Sequence, residues 1–354
     1  MKLLFAILAI LTTAIPAMGC TSMIVSAAAS ADGRPLMWKH RDTDARNNFL
    51  ARVEATDSTL AYVALFNEGD STLSEAWTGM NEAGFAIMNT ASYNLAPDTA
   101  RLKDREGAVM TAALRRCRTV AEFDSLLSAL SKPLGVQANF GVIDAQGGAA
   151  YFETSDHSWR RFDVADSPGG VLIRTNYSVS GQEGTGFGYI RYNTAQKLAA
   201  QAISRRAVTA PLFTESLSRS FSHSLTGHDY VAEDEHYVAD RDFIPRNIST
   251  ASIVIEGVTP GQNPTDIYMW AALGYPPCAV TERVTLTEIP SRLGPDLPGW
   301  RSSACAEAIE RRDRCIAFPG GSGPGYLDLH RLVPEMMRAK ESSAKNYLNH
   351  ICKP

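Results

Sequence analysis

The sequence predicts an α+β fold, with two sheets packed on each other, helices outside them, and a helical C-terminal extension stapled by disulfides. Three observations predict it. Strand-like segments come in two blocks separated by helical stretches, with two more strands further on. One helical stretch places Ala195, Leu198, Ala199, Ala202 and Ile203 at i, i+3, i+4, i+7 and i+8, a single apolar face suited to lie on a sheet. After Pro277 the composition changes. Pro290, Pro295, Pro298 and the Gly/Pro-rich run 319–325 break the chain into short helices and loops.

The chain opens on an export signal. Lys2 supplies a positive start, residues 3–11 are uninterruptedly apolar, Pro16 follows, and Ala17 and Gly19 place small residues at −3 and −1 of a cleavage site before Cys20. The apolar run is shorter than the roughly 20 residues a spanning helix needs, and no later segment approaches that length. The expectation is a leader at 1–19 and a secreted or periplasmic mature protein with no membrane span. Lipidation of Cys20 is the competing outcome. Gly19-Cys20 fits it, but Ala17 stands where lipoprotein signals usually carry Leu.

Beyond Cys20, residues 21–26 and 36–38 read as strands joined by an Ala-rich turn ending in Asp32-Gly33. Residues 60–66 favour strand, and 75–90 form a hairpin with Asn81, Glu82, Ala83 and Gly84 in its turn. A helix over 107–130 is stopped by Pro133. The second strand block covers 138–144, 149–153, 159–164 and 170–175. After the amphipathic helix, 211–221 predicts another, and 251–255 and 266–271 predict two strands. The organisation is thus a leader at 1–19, a catalytic domain over 20–277 and the extension over 278–354.

Composition bounds the function. With 45% hydrophobic and 20% charged residues among 354, the chain is ordinarily globular. A formal net charge of −4 with no Lys/Arg run gives no reason to expect a nucleic acid partner. Cysteine usage agrees with export: Cys278, Cys305, Cys315 and Cys352 cluster in the last quarter, where they can pair in three ways. Cys117 falls in a helical stretch and reads as a buried core thiol.

A cysteine at a new N-terminus carries its own base, because an α-amino group with a pKa near ~8 can accept the thiol proton. It then needs a group to hold the amine, a cation favouring the thiolate, and neutral donors for an oxyanion. Cys20-Thr21 opens a strand, and Arg41-Asp42-Thr43-Asp44 follows the next one. Residues 77–89 read Trp-Thr-Gly-Met-Asn-Glu-Ala-Gly-Phe-Ala-Ile-Met-Asn, and 171–176 read Val-Leu-Ile-Arg-Thr-Asn. Arg246 precedes Ser249-Thr250-Ala251-Ser252. In this order the pieces resemble the choloylglycine hydrolase and penicillin acylase group of N-terminal-nucleophile (Ntn) hydrolases and related acyltransferases, over residues 20–275.

The resemblance implies a four-layer αββα Ntn-hydrolase sandwich and a linear, non-peptide N-acyl amide as substrate, with no metal or organic cofactor. Homo-oligomers would be in keeping with it. Cys20 would attack the amide carbonyl, Arg41 favour its thiolate, and Asp44 hold the α-ammonium. Asn89 and Asn176 would offer N–H groups to the oxyanion, and Arg246 would brace the site. The pattern departs at Asp42, where the group usually has Asn, so Asp42 and Asp44 can exchange roles. Arg241 rivals Arg246, and the Ala-rich turn stretches the spacing from Cys20 to Arg41.

Plainer readings compete. Arg41 and Asp44 could form a surface ion pair, and the two asparagines could serve turns, Asn176-Tyr177-Ser178 also matching a glycosylation sequon. His223, His228 and His236 lack metal-ligand spacing, and Gly184, Gly186 and Gly188 lack a phosphate-cradle context. The 320–325 run lacks nucleophile-elbow order. Loops around 47–49, 93–98 and 178–188 carry Phe49, Tyr93, Leu95 and Phe187, which point to an apolar acyl group. The rival functions are an acyltransferase working through the same acyl-enzyme, and a Cys20-lipidated lipoprotein that binds a ligand without turnover.

Overall fold

The computed structural model describes residues 19–96, 103–318 and 325–351. Its first strands are β1 (Thr21–Val25), β2 (Leu36–Asp42), β3 (Asn48–Val53), β4 (Tyr62–Asn67), β5 (Thr78–Asn81) and β6 (Ala86–Ala91). Helices α1 (Glu106–Arg116) and α2 (Val120–Ala129) lead to β7 (Ala138–Ile143), β8 (Ala149–Thr154), β9 (Trp159–Asp163) and β10 (Val171–Arg174). Then come α3 (Tyr189–Ser204), β11 (Tyr237–Val238), β12 (Ser249–Glu256), β13 (Tyr268–Leu273) and β14 (Glu282–Thr285). Helix α4 (Ser303–Asp313), β15 (Ile316–Ala317), β16 (Tyr326–Asp328) and α5 (Leu329–Ile351) complete the described chain.

Two antiparallel sheets dominate, a six-stranded one in the order β10-β1-β2-β12-β13-β14 and a seven-stranded meander running from β3 to β9. Strand alternation sorts their side chains into layers. Ile24, Met37, Ile253 and Met269 of the first sheet meet Leu50, Val63, Met80 and Met88 of the second in one core. On the far side of the seven-stranded sheet, Phe66, Phe85, Phe140 and Phe152 pack under Met110, Leu114 and Phe123 of α1 and α2. Across the six-stranded sheet, Met23, Val25, Trp38 and Trp270 pack under Ala195 and Ala199 of α3 and Tyr347 of α5. The order is helix, sheet, sheet, helix, as expected.

The hairpin turn is built as its sequence suggested. Asn81 Oδ1 accepts from Ala83 N and Phe85 N at 3.0 and 3.2 Å, and Gly84 takes φ +75°. Asn81 Nδ2 donates to Leu114 O and Cys117 O at 2.9 and 2.8 Å, so the turn also clamps the end of α1. The predicted helix 107–130 is therefore two helices. α1 ends at Arg116, and Thr119, accepting from Glu122 N, caps the start of α2.

Other expectations needed revision. Strand β2 runs four residues past Trp38, and all of 39–42 are buried. Instead of a regular helix, 211–221 forms a π-helical turn (Leu212–Ser216) followed by a 3-10 turn (Leu217–Arg219). Phe49 belongs to strand β3, fully buried against Phe66 and Trp300 in the core under α1, instead of standing in an open loop. Past residue 278 the chain stays on the same body. β14 edges the six-stranded sheet, and Leu293 O and Ser302 N bond the free side of β3 at Leu50 and Asn48. No disulfide forms among the described cysteines. Cys305 Sγ donates to Arg46 O and Cys315 Sγ to Arg311 O, Cys278 is likewise a buried free thiol, and Cys352 lies outside the described residues. Among the described residues no helix is long and apolar enough to cross a membrane.

Candidate active site

Cys20 stands at the head of β1. The antiparallel register pairs Thr21 with His40 and Ser22 with Lys39, which brings Cys20 level with Arg41. Alternation turns Cys20, with Ser22 and Ile24, toward the space between the sheets, and sends Thr21 to the α3 side. Cys20 is 8% exposed, and its sulfur lies 3.9 Å from Asp42 O.

Four cationic side chains and a carboxylate lie about the residue. Arg191, in the first turn of α3 and fully buried, donates through Nη1 to Cys20 O at 2.7 Å and Thr21 Oγ1 at 2.9 Å. Its Nη2 donates to Asn176 Oδ1 at 2.6 Å. Burial pulls its pKa down to about 10, with Arg246 adding to the effect. Arg246 reaches Asp42 Oδ2 through Nε at 3.2 Å and Nη2 at 2.5 Å, and the same Nη2 donates to Gly19 O at 2.5 Å. Burial alone would lower its pKa, but Asp42, with Cys20 and Asp240 adding to it, leaves it raised. Asp42 also accepts from Ser249 Oγ at 2.5 Å, and Ser249 Oγ lies 2.9 Å from His40 Nε2.

Arg41 donates to Asn67 Oδ1 at 2.7 Å and lies over the Trp77 ring, 5.1 Å from its centroid. Burial lowers its pKa to about 10, against the attraction of Cys20. Lys39, two residues earlier and so on the same strand face, is fully buried. It donates to Asn89 Oδ1 at 2.6 Å and Trp77 O at 2.5 Å. An ammonium has donors only, so it fixes which arm of the Asn89 amide is oxygen and turns Nδ2 away. Asn176 is held likewise: its Oδ1 takes Arg191, and its Nδ2 donates to Ala91 O at 2.9 Å.

The structure thus gathers Cys20, Arg41, Asn89, Asn176 and Arg246 around one point. Asp44 is not among them. β2 ends at Asp42, the chain turns out, and Asp44 is exposed, so Asp42 is the carboxylate beside Cys20. Arg241 is also exposed, which leaves Arg246 as the late arginine at the site. Sequence reasoning missed Lys39, Arg191 and Ser249. Period-two alternation from Arg41 would have flagged Lys39 once the strand was read past Trp38. Nothing local marks Arg191, one polar residue in a helical turn. Among the described residues, no group of three His, Cys, Asp or Glu is placed to hold a metal ion.

Two loops flank the site. Asn94 Nδ2 donates to Ser178 O and Asn94 Oδ1 accepts from Ser178 N, at 2.9 and 2.7 Å. Glu153, paired with Arg174 at 2.7 Å, accepts from Val179 N and Ser180 N at 2.8 and 2.7 Å. Tyr93 and Phe187, edge to face at 5.5 Å, hang their backbones on Asn176 O and stay largely exposed.

No family model matches the chain, and no curated protein does. Among solved structures it is similar to a Caenorhabditis elegans N-acylethanolamine-hydrolyzing acid amidase ortholog, at 15% identity and TM-score 0.42, over 67% of this chain and 92% of that one. It is also similar to a variant of the conjugated bile acid hydrolase from Clostridium perfringens, at 10% identity and TM-score 0.47, over 77% and 94% of the two chains. A third is penicillin V acylase from Agrobacterium tumefaciens, at 14% identity and TM-score 0.40, over 76% and 87%.

Proposed function

We propose that the chain is an exported Ntn cysteine hydrolase that cleaves a linear, non-peptide N-acyl amide through an acyl-enzyme on Cys20. The observation that carries this reading is the surroundings of Cys20: a buried cysteine at a strand head, with Arg191 on its carbonyl, Arg246 on the carbonyl of the residue before it and on Asp42, and two asparagines whose amides are fixed by cations. Removal of 1–19 would free the Cys20 α-amine at the place where Gly19 O now accepts from Arg246, the arginine that also holds Asp42. The amine takes the thiol proton and the sulfur adds to the acyl carbonyl. Asn89 would offer Nδ2–H to the charge that develops on oxygen, and Asn176, one N–H of which bonds Ala91 O, would offer the other. The C–N bond then breaks, the proton passes to the leaving amine, and water hydrolyses the thioester by the reverse sequence. Tyr93 and Phe187 make an apolar acyl group the fitting one.

Brief iodoacetamide treatment followed by peptide mass spectrometry tests the nucleophile. Cys20 should label first, because burial pushes the thiols of Cys117 and Cys305 up to about 12 and that of Cys315 up to about 11. Release of amine from a panel of N-acyl amides should fall at least roughly 10³-fold in Cys20→Ala. Added amines that capture the acyl group faster than water would make the enzyme an acyltransferase instead. A lipidated Cys20 would sink the mechanism, since an acylated α-amine is no base.

A further inference from the structure

Lys39 is an unusual group to find at such a site. Its ammonium is fully buried, yet the two acceptors it bonds, Trp77 O and Asn89 Oδ1, are neutral carbonyls. Three charged or titratable groups face it: Cys20 ahead of β1, Arg41 on β2 and Glu106 at the start of α1. Arg41 repels it, while Cys20 attracts it more strongly than Glu106 does. A buried cation held by carbonyls alone is costly unless an anion stands close by. The sulfur, once ionised, is that anion.

We propose that Lys39 is a titratable positioning residue, whose ammonium fixes the Asn89 amide and offsets the charge of the Cys20 thiolate, so that the site works only while Lys39 holds its proton. The proposal rests on Cys20 being the nucleophile. When the ammonium gives its proton to solvent, the neutral amine no longer forces Asn89 Oδ1 inward and no longer balances the sulfur. Burial, the largest influence on Lys39, lowers its pKa to about 7, so the change falls within the working range. An arginine at 39 would hold its proton throughout this range.

The test follows turnover and Cys20 alkylation against pH in the parent protein, Lys39→Arg, Lys39→Met and Glu106→Gln. Glu106→Gln removes a charge that favours the ammonium, yet keeps an acceptor for Gln137 N, which bonds Glu106 Oε1 at 3.1 Å. In the parent, turnover should fall as pH rises through the Lys39 titration. Lys39→Arg should move this alkaline limb up by more than about one pH unit. Glu106→Gln should move it down by a few tenths of a unit, and Lys39→Met should lose roughly 10²-fold in turnover below the Lys39 titration and show no alkaline limb there. An alkaline limb that stays in place in both Lys39→Arg and Glu106→Gln, with Cys20 still alkylated, overturns the role of Lys39 alone. If Lys39→Arg melts too early to assay, Glu106→Gln decides the question by itself. An unlabelled Cys20 in the parent overturns the nucleophile and this inference together.

Discussion

At the scale of single residues, the difference between Asp42 and Asp44 decides much of the site. Both sit in the motif, and only the point where β2 ends separates them. Asp42 is the last residue of the strand, with Arg246 and Ser249 on its carboxylate, whereas Asp44 lies two residues beyond, in water. Asp42→Asn should leave Arg246 buried without its anion, costing about 3 kcal/mol of stability and roughly 10²-fold in turnover. Asp44→Asn should change neither melting nor rate beyond about 0.5 kcal/mol. Equal losses in the two variants would refute the assignment. The sequence named Cys20, Arg41, Asn89, Asn176 and Arg246 because they lie in motifs with distinctive neighbours. Lys39 was hidden because a run of Lys, His, Arg and Asp reads as the exposed end of a strand, although here that end is buried throughout.

At the scale of elements, turn chemistry was the most legible part. The Asn81–Gly84 turn and the strands it joins follow directly from their residues, as does the apolar face of α3. What escaped were elements whose environment is supplied from far away. β3 reads as a loop until Leu293 and Ser302 pair along its edge, and β14 lies in a stretch whose prolines suggested irregular structure. Glu153 shows how an element can hold a loop in place. Seated on β8 and 2% exposed, it satisfies Arg174 and anchors Val179 and Ser180, just beyond Asn176. Glu153→Ala would strand a buried guanidinium and should cost about 3–5 kcal/mol in denaturant unfolding. It should also make the 178–188 loop a preferred site of limited proteolysis. A melting curve unchanged from the parent would show that the loop is held by Asn94 alone.

At the scale of the whole molecule, the four layers were legible from the blocks of strands and helices, while the sorting of strands into sheets was not, because pairing depends on partners distant in sequence. Burial also gives the molecule an acid-sensitive centre. His40, under Trp38 and beside Asp42, has its pKa pulled by burial from 6.5 to about 4, with Asp42 resisting. The folded state therefore keeps the imidazole neutral where the unfolded chain would protonate it. This contribution is complete above pH 6.5 and is lost as pH falls toward 4, a difference on the order of 3 kcal/mol. Thermal midpoints should drop over that window, and His40→Gln, which keeps a polar partner for Ser249, should flatten the drop. A parallel drop in both proteins would assign it to other groups. The register of these contacts along the chain has a temporal consequence. Arg191 meets Cys20 across 171 residues and Arg246 meets Asp42 across 204. Contacts this distant close late in folding. The surroundings of Cys20 are thus completed only when α3 and the segment before β12 have docked, and a chain caught before that step holds Cys20 with neither guanidinium beside it.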